Sequence, residues 1–123
     1  VQVEKDLKYY EPRMSANGPA MGNSVFSVLY SRLGNLDKAQ ELLSKSYKAN
    51  QVPPFGVLAE TAGGTNPYFA TGAGGFLQAV IFGFGGLKIT DQGISQNKTT
   101  LPKSWSSLKI KNVGVDGKDY IVK

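Results

Sequence analysis

One stretch constrains the fold more than any other. From about Asn66 to Phe82 the spacing predicts a helix, with Asn66 as N-cap and Pro67 in the first turn, yet it contains Gly72, Gly74 and Gly75. Each glycine costs a helix interior about 1 kcal/mol relative to alanine. That cost is tolerated where another backbone must approach closely. From Phe76 to Phe82 the stretch is apolar on nearly every side, and a helix apolar all round is buried all round. Two further helices and a few short strands can hardly supply neighbours on every side, so a chain of 123 residues is expected to be part of something larger.

The rest of the chain divides on either side of this helix. Val1 to Gly18 reads as polar and turn-rich, ending in the breaker Asn17-Gly18-Pro19. Val25, Phe26, Val28, Leu29 and Leu33 then recur at intervals of three and four, which predicts a helix and its apolar face. Gly34 reads as its C′ stop and Asn35 as the N-cap of a second helix, whose apolar face is Ala39, Leu42, Leu43 and Tyr47. Glu41 and Lys45 stand four apart on its side. Phe55 to Leu58 reads as a short extended piece. After Gly85-Gly86 the pattern becomes strand-like. Leu87 to Thr90 is followed by Ile94 to Gln96, and Ser107 to Val113 by Tyr120 to Val122 across an Asp116-Gly117 turn. The expected class is α+β, helical to residue 86 and antiparallel β from 87 to 123.

Composition removes several chemistries. The chain has no Cys and no His, so thiolate metal sites, disulfides, imidazole acid–base work and Ser-His-Asp catalysis are absent from it. No metal site and no cofactor are expected. Any catalysis within these residues falls to nine carboxylates. The net charge of +5 is concentrated at the end: residues 87–123 carry seven Lys against three acids, while residues 1–86 carry seven Lys/Arg against six. Lysines spaced along strands blunt exposed edges, which favours a solvated face over a nucleic-acid surface. No run approaches the ~20 apolar residues of a bilayer span, so no membrane partner is expected. A secreted or periplasmic location is expected over a cytoplasmic one, with no leader at Val1 to decide it.

Four quoted stretches carry a family likeness. They are Gly18-Pro19-Ala20-Met21-Gly22-Asn23-Ser24, Leu33-Gly34-Asn35-Leu36-Asp37-Lys38-Ala39, the run from Asn66 through Gln78, and Phe82-Gly83-Phe84-Gly85-Gly86. In order and spacing they resemble the late part of glycoside hydrolase family 65. Related α-L-fucosidases, with a Leu-Pro-x-x-Trp similar to Leu101 to Trp105, are the nearby alternative. The resemblance implies an (α/α)₆ catalytic barrel. Residues 1–86 would be its terminal helices, including a helical hairpin and the buried Gly-rich helix, and residues 87–123 a small C-terminal β domain. It also implies an oligosaccharide substrate and, as partner, the remainder of the parent chain. The segment alone is expected to be inactive. Its exposed apolar face leaves self-association open.

Members of that family are either phosphorylases or hydrolases of α-glucosides. The phosphorylases resemble one another in a Gly-x-His before the small-residue helix, where the His helps bind phosphate. The corresponding position here falls near Phe69. An inverting hydrolase instead needs a carboxylate base for water. Glu60, the one acid between Glu41 and Asp91, is the candidate, with the general acid elsewhere in the parent chain. Among Phe55, Leu58, Tyr68 and Phe69 its carboxylate is expected to be partly desolvated, which would favour the protonated form. Thr61, Asn66 and Tyr68 are candidate sugar contacts. Glu60 as an ordinary loop glutamate, Asn66 as a simple N-cap and Trp105 as a core anchor stand beside these readings. A disaccharide phosphorylase stays open, and so does a non-catalytic helical interaction module, because Leu33 to Leu43 also looks like half a tetratricopeptide repeat.

Overall fold

The computed structural model describes every residue from Val1 to Lys123. Helices α1 (Gln2–Tyr10), α2 (Met21–Arg32) and α3 (Leu36–Lys45) come first, followed by short strands β1 (Gln51–Val52) and β2 (Val57–Leu58). Helix α4 (Ala70–Gln78) runs directly into a π-helical segment, Ala79–Phe84. Strands β3 (Leu87–Thr90), β4 (Gly93–Gln96), β5 (Leu108–Val113) and β6 (Lys118–Val122) complete the chain. The strands pair as three separate antiparallel hairpins, so the class is α+β. No helix is long and apolar enough to cross a membrane.

The α2–α3 hairpin forms where the sequence places it. Gly34 takes φ +79°, a left-handed conformation that suits glycine at a helix stop. The Asn35 side chain accepts from the Lys38 backbone N–H at 3.3 Å, capping α3. Ala39, Leu42 and Leu43 are buried, and Lys45 pairs with Glu41.

Three expectations are corrected. The first residues are helical rather than turn-rich: α1 buries Leu7 and carries a Glu4–Lys8 pair at i,i+4. Helix α4 starts at Ala70, not at Asn66-Pro67, and no side chain caps it. Tyr68 has φ +68°, and a helix cannot run through a left-handed residue. The inward face of α2 is Ser24, Ser27, Val28 and Ser31, whereas Val25 and Leu33 are exposed.

That last correction has a steric cause. The Gly-rich helix lies against α2 so closely that large side chains cannot stand between them. A Cβ on Gly83 would sit 3.3 Å from the Val28 Cα, and one on Gly75 3.1 Å from the Ser24 Oγ. Ala79, fully buried, lies between these two glycines along the helix. Small residues at 75, 79 and 83 drift around a helix of 3.6 residues per turn. The wider π turn, with Gly85 N–H donating to Val80 O at 2.8 Å, counteracts that drift and brings Gly83 back against α2. Ser27 in turn donates to the Ala39 carbonyl at 2.8 Å, tying α2 to α3. The opposite side of α4 is bare: a Cβ on Gly74 would meet nothing within 4 Å, and Leu77 is 54% exposed.

The strands after Gly86 share the helical core. Val28, Ala39, Leu43, Ala79 and Phe84 form one apolar cluster, and Leu101, Trp105 and Leu108 pack against it. The Phe84 and Trp105 rings lie 4.9 Å apart, so Trp105 acts as a core anchor rather than a free sugar platform. Thr99 Oγ1 donates to Phe84 O and Gln96 Nε2 to Gly85 O, both at 3.0 Å.

A polar cluster docks the first segment onto the hairpin. Glu11, just after α1, accepts from the Tyr30 hydroxyl of α2 and pairs at 2.7 Å with Lys38 of α3, which also reaches Glu41. Burial pushes the Glu11 carboxyl up, but hydrogen bonds from Lys38 and Tyr30 and the lysine charge outweigh it and hold it below the ordinary value. Burial, reinforced by the Glu11 carboxylate, raises the Tyr30 phenol to about 12.

Two outcomes are expected in the intact parent protein. Gly83→Ala should destabilise it by about 1–3 kcal/mol, since backbone rather than a flexible side chain opposes the new methyl; thermal unfolding checks this, and an unchanged midpoint would contradict the close contact. Glu11→Gln should speed amide exchange of α1 about 5-fold at neutral pH. A depressed carboxyl stabilises above its unfolded value of 4.5 and loses that contribution as pH falls below it. The difference between variant and wild type should therefore shrink as pH falls below 4.5 and through the lowered folded-state value of Glu11.

Candidate functional site

Residues 59–69 form a closed loop between β2 and α4. The hairpin register pairs Gln51 with Leu58, and the bonding continues one step beyond the strands, with Ala59 N–H donating to Asn50 O at 2.8 Å. At the far end Phe69 N–H donates to Leu58 O, also at 2.8 Å. Both ends of the loop are thus tied to the same point of the hairpin, as in a compact Ω-type loop. Gly63 N–H reaches outside the loop to Ala49 O at 3.3 Å, and within it Gly64 N–H reaches Thr61 O at 3.0 Å.

All four candidate site residues lie on this loop. Glu60 and Thr61 stand half-buried on the limb leaving β2, while Asn66 and Tyr68 are exposed on the limb entering α4. Tyr68 is 80% exposed and left-handed. An exposed non-glycine residue held at positive φ marks stored backbone cost, which collects at functional loops. The apolar surround expected for Glu60 does not assemble within these residues. Phe55 is 89% exposed on the turn between β1 and β2, two-residue strands too short to hold it inward.

Two cavities flank the loop, and Glu60 lines neither. One, of about 430 Å³, is apolar and bounded by Val57, Leu58, Tyr68, Phe69 and Ala73. The other, of about 280 Å³, is polar and bounded by Glu11, Asn23, Lys45, Asn50 and Ala62. No group of three or more acidic, His or Cys side chains is placed to hold a metal ion.

One residue of the site carries no sequence signal. Asn50 is buried at the end of a short 3₁₀ turn after α3. Its side-chain amide donates to Ala59 O at 3.2 Å and to Glu60 O at 3.0 Å. An asparagine before Pro53-Pro54 reads only as a loop residue, and its partners nine and ten positions away become visible only once the hairpin is folded.

No family model matches the chain. It is 56% identical over 123 residues to a kojibiose hydrolase of Mucilaginibacter mallensis, covering 99% of this chain and 18% of that protein. It is 50% identical to a kojibiose hydrolase of Flavobacterium johnsoniae, covering 98% and 18%. A protein-glucosylgalactosylhydroxylysine glucosidase of Dictyostelium discoideum is 39% identical over 119 residues, covering 97% and 16%. An α,α-trehalose phosphorylase of Geobacillus stearothermophilus matches at 28% over 108 residues, covering 87% and 13%. The chain thus spans less than a fifth of the length of these relatives. Hydrolases match at higher identity than the phosphorylase, and in both the likeness runs through the hairpin, the Glu60 loop and the Gly-rich helix. The chain belongs to the glycoside hydrolase family 65-like enzymes, as a segment of one.

Proposed function

We propose that this segment supplies the general base of an inverting α-glucoside hydrolase. In this reading, residues 1–86 are terminal helices of an (α/α)₆ barrel and residues 87–123 a C-terminal β domain. The bare side of α4 then faces the rest of the barrel. Glu60 deprotonates the attacking water. A carboxylic acid on the remainder of the parent chain protonates the departing sugar oxygen, with the two groups about 6.5–9.5 Å apart to admit the water. Thr61, Asn66 and Tyr68, on the same closed loop, contact the sugar.

The observation that carries this is Glu60 itself. It is the one acid between Glu41 and Asp91, it projects from a loop whose ends are tied together, and the chain has no His for a phosphate-binding role. The hydrolase names of the relatives at 50% and 56% identity agree with it. The helical-repeat alternative gains nothing from the fold, since α2–α3 is followed by a β-hairpin and not by a second helical pair.

In the intact enzyme, Glu60→Gln should lower kcat on the order of 10²-fold or more, with no dependence of turnover on phosphate. Near wild-type hydrolysis, or release of glucose 1-phosphate in phosphate buffer, would overturn the assignment. Tyr68→Gly removes a ring that packs on little and relieves a left-handed backbone worth about 1–2 kcal/mol. It should raise KM several-fold while leaving the thermal midpoint equal to or above wild type; a lowered midpoint with unchanged KM would make Tyr68 structural.

A further inference from the structure

We infer that Asn50 is a positioning residue for the Glu60 carboxylate; this rests on the reading of Glu60 as the general base. The direction in which a side chain leaves the backbone is set by the two peptide planes on either side of its Cα. For Glu60 these are the 59–60 plane, which carries Ala59 O, and the 60–61 plane, which carries Glu60 O. One side-chain amide, that of Asn50, donates to both oxygens, at 3.2 and 3.0 Å.

The first plane's neighbour is held from the other side as well, because Ala59 N–H donates to Asn50 O at 2.8 Å. Asn50 therefore grips the chain at three points around one residue. It is itself immobilised: only 3% of its surface is exposed, and its own N–H donates to Tyr47 O at 3.0 Å, anchoring it to the end of α3. Ala59 is fully buried, so the limb has no room to swing. The grip extends the β1–β2 register by one residue and stops where the catalytic side chain begins.

Bonding both oxygens takes a side chain with two N–H donors, because both targets are acceptors. Asp has the same shape and no donor when ionised, and it would turn the grip into repulsion between oxygens. A base held loosely loses rate rather than substrate affinity, since small displacements from the reactive geometry cost the transition state more than the ground state.

The test is a double-mutant cycle in the intact enzyme with Asn50→Asp, Glu60→Gln and the pair. Asn50→Asp alone should lower kcat roughly 10- to 100-fold with KM within about 3-fold. Added to Glu60→Gln it should lower kcat no further, because its effect passes through a carboxylate already gone. Thermal unfolding is measured first, and if Asn50→Asp does not fold, Asn50→Ala, which introduces no repulsion, takes its place in the cycle. A wild-type kcat for the Asn50 variant, or losses that multiply in the pair, overturns the inference while leaving Glu60 as base intact. An active Glu60→Gln enzyme instead removes the reading beneath it, so the two failures are told apart by the single variants.

Discussion

The close approach of α2 to the Gly-rich helix is the contact on which the rest of this structure depends. Gly75, Ala79 and Gly83 present backbone where other helices present side chains, and Ser24, Ser27, Val28 and Ser31 meet them with the smallest groups available. The small α2 face also lets Ser27 reach across to α3, and the π turn that keeps Gly83 in place delivers Phe84 into the core under Trp105. Helical hairpin, Gly-rich helix and β hairpins are thereby assembled around one apolar cluster, although the chain changes character at residue 86.

The loop that carries Glu60 inherits its position from this arrangement. Its first limb grows out of the β1–β2 hairpin, which follows directly from α3. Its second limb feeds α4, which is pinned to α2. Both limbs are bonded at Leu58 and Asn50. A loop tied at its ends can hold a half-buried glutamate, and even a left-handed tyrosine whose backbone cost those ties offset. The chain is less than a fifth of its relatives' length, so under the proposed two-carboxylate mechanism the second acid belongs to the remainder of the parent chain.

Much of this was readable in advance. The Gly34 stop, the Asn35 cap and the β hairpins follow from local rules of spacing, capping and turn chemistry and form as those rules state, and so does the α3 face except for Tyr47, which lies beyond the helix end at Lys45. Periodicity of large apolar residues misplaces the α2 face, because this interface selects small ones. At the start of α4, Asn66-Pro67 is a valid local cap signal that the left-handed Tyr68 overrides. Helix α1 has a weak apolar pattern, with Leu7 as its one buried residue, and is held by Glu11 contacts 19 and 27 positions away.

By itself, the sequence determined the chemistry that is possible: no His, no Cys, and one acid in the long interval that leads into the Gly-rich helix. These are matters of residue identity and need no coordinates. Only the tertiary structure decided how that acid is held. Asn50 and Glu60 are ten residues apart with no pattern linking them, and the bonds between them exist because an antiparallel hairpin folds the chain back on itself. Side-chain identity is local, whereas a hydrogen bond to a backbone carbonyl depends on where the rest of the fold carries that carbonyl.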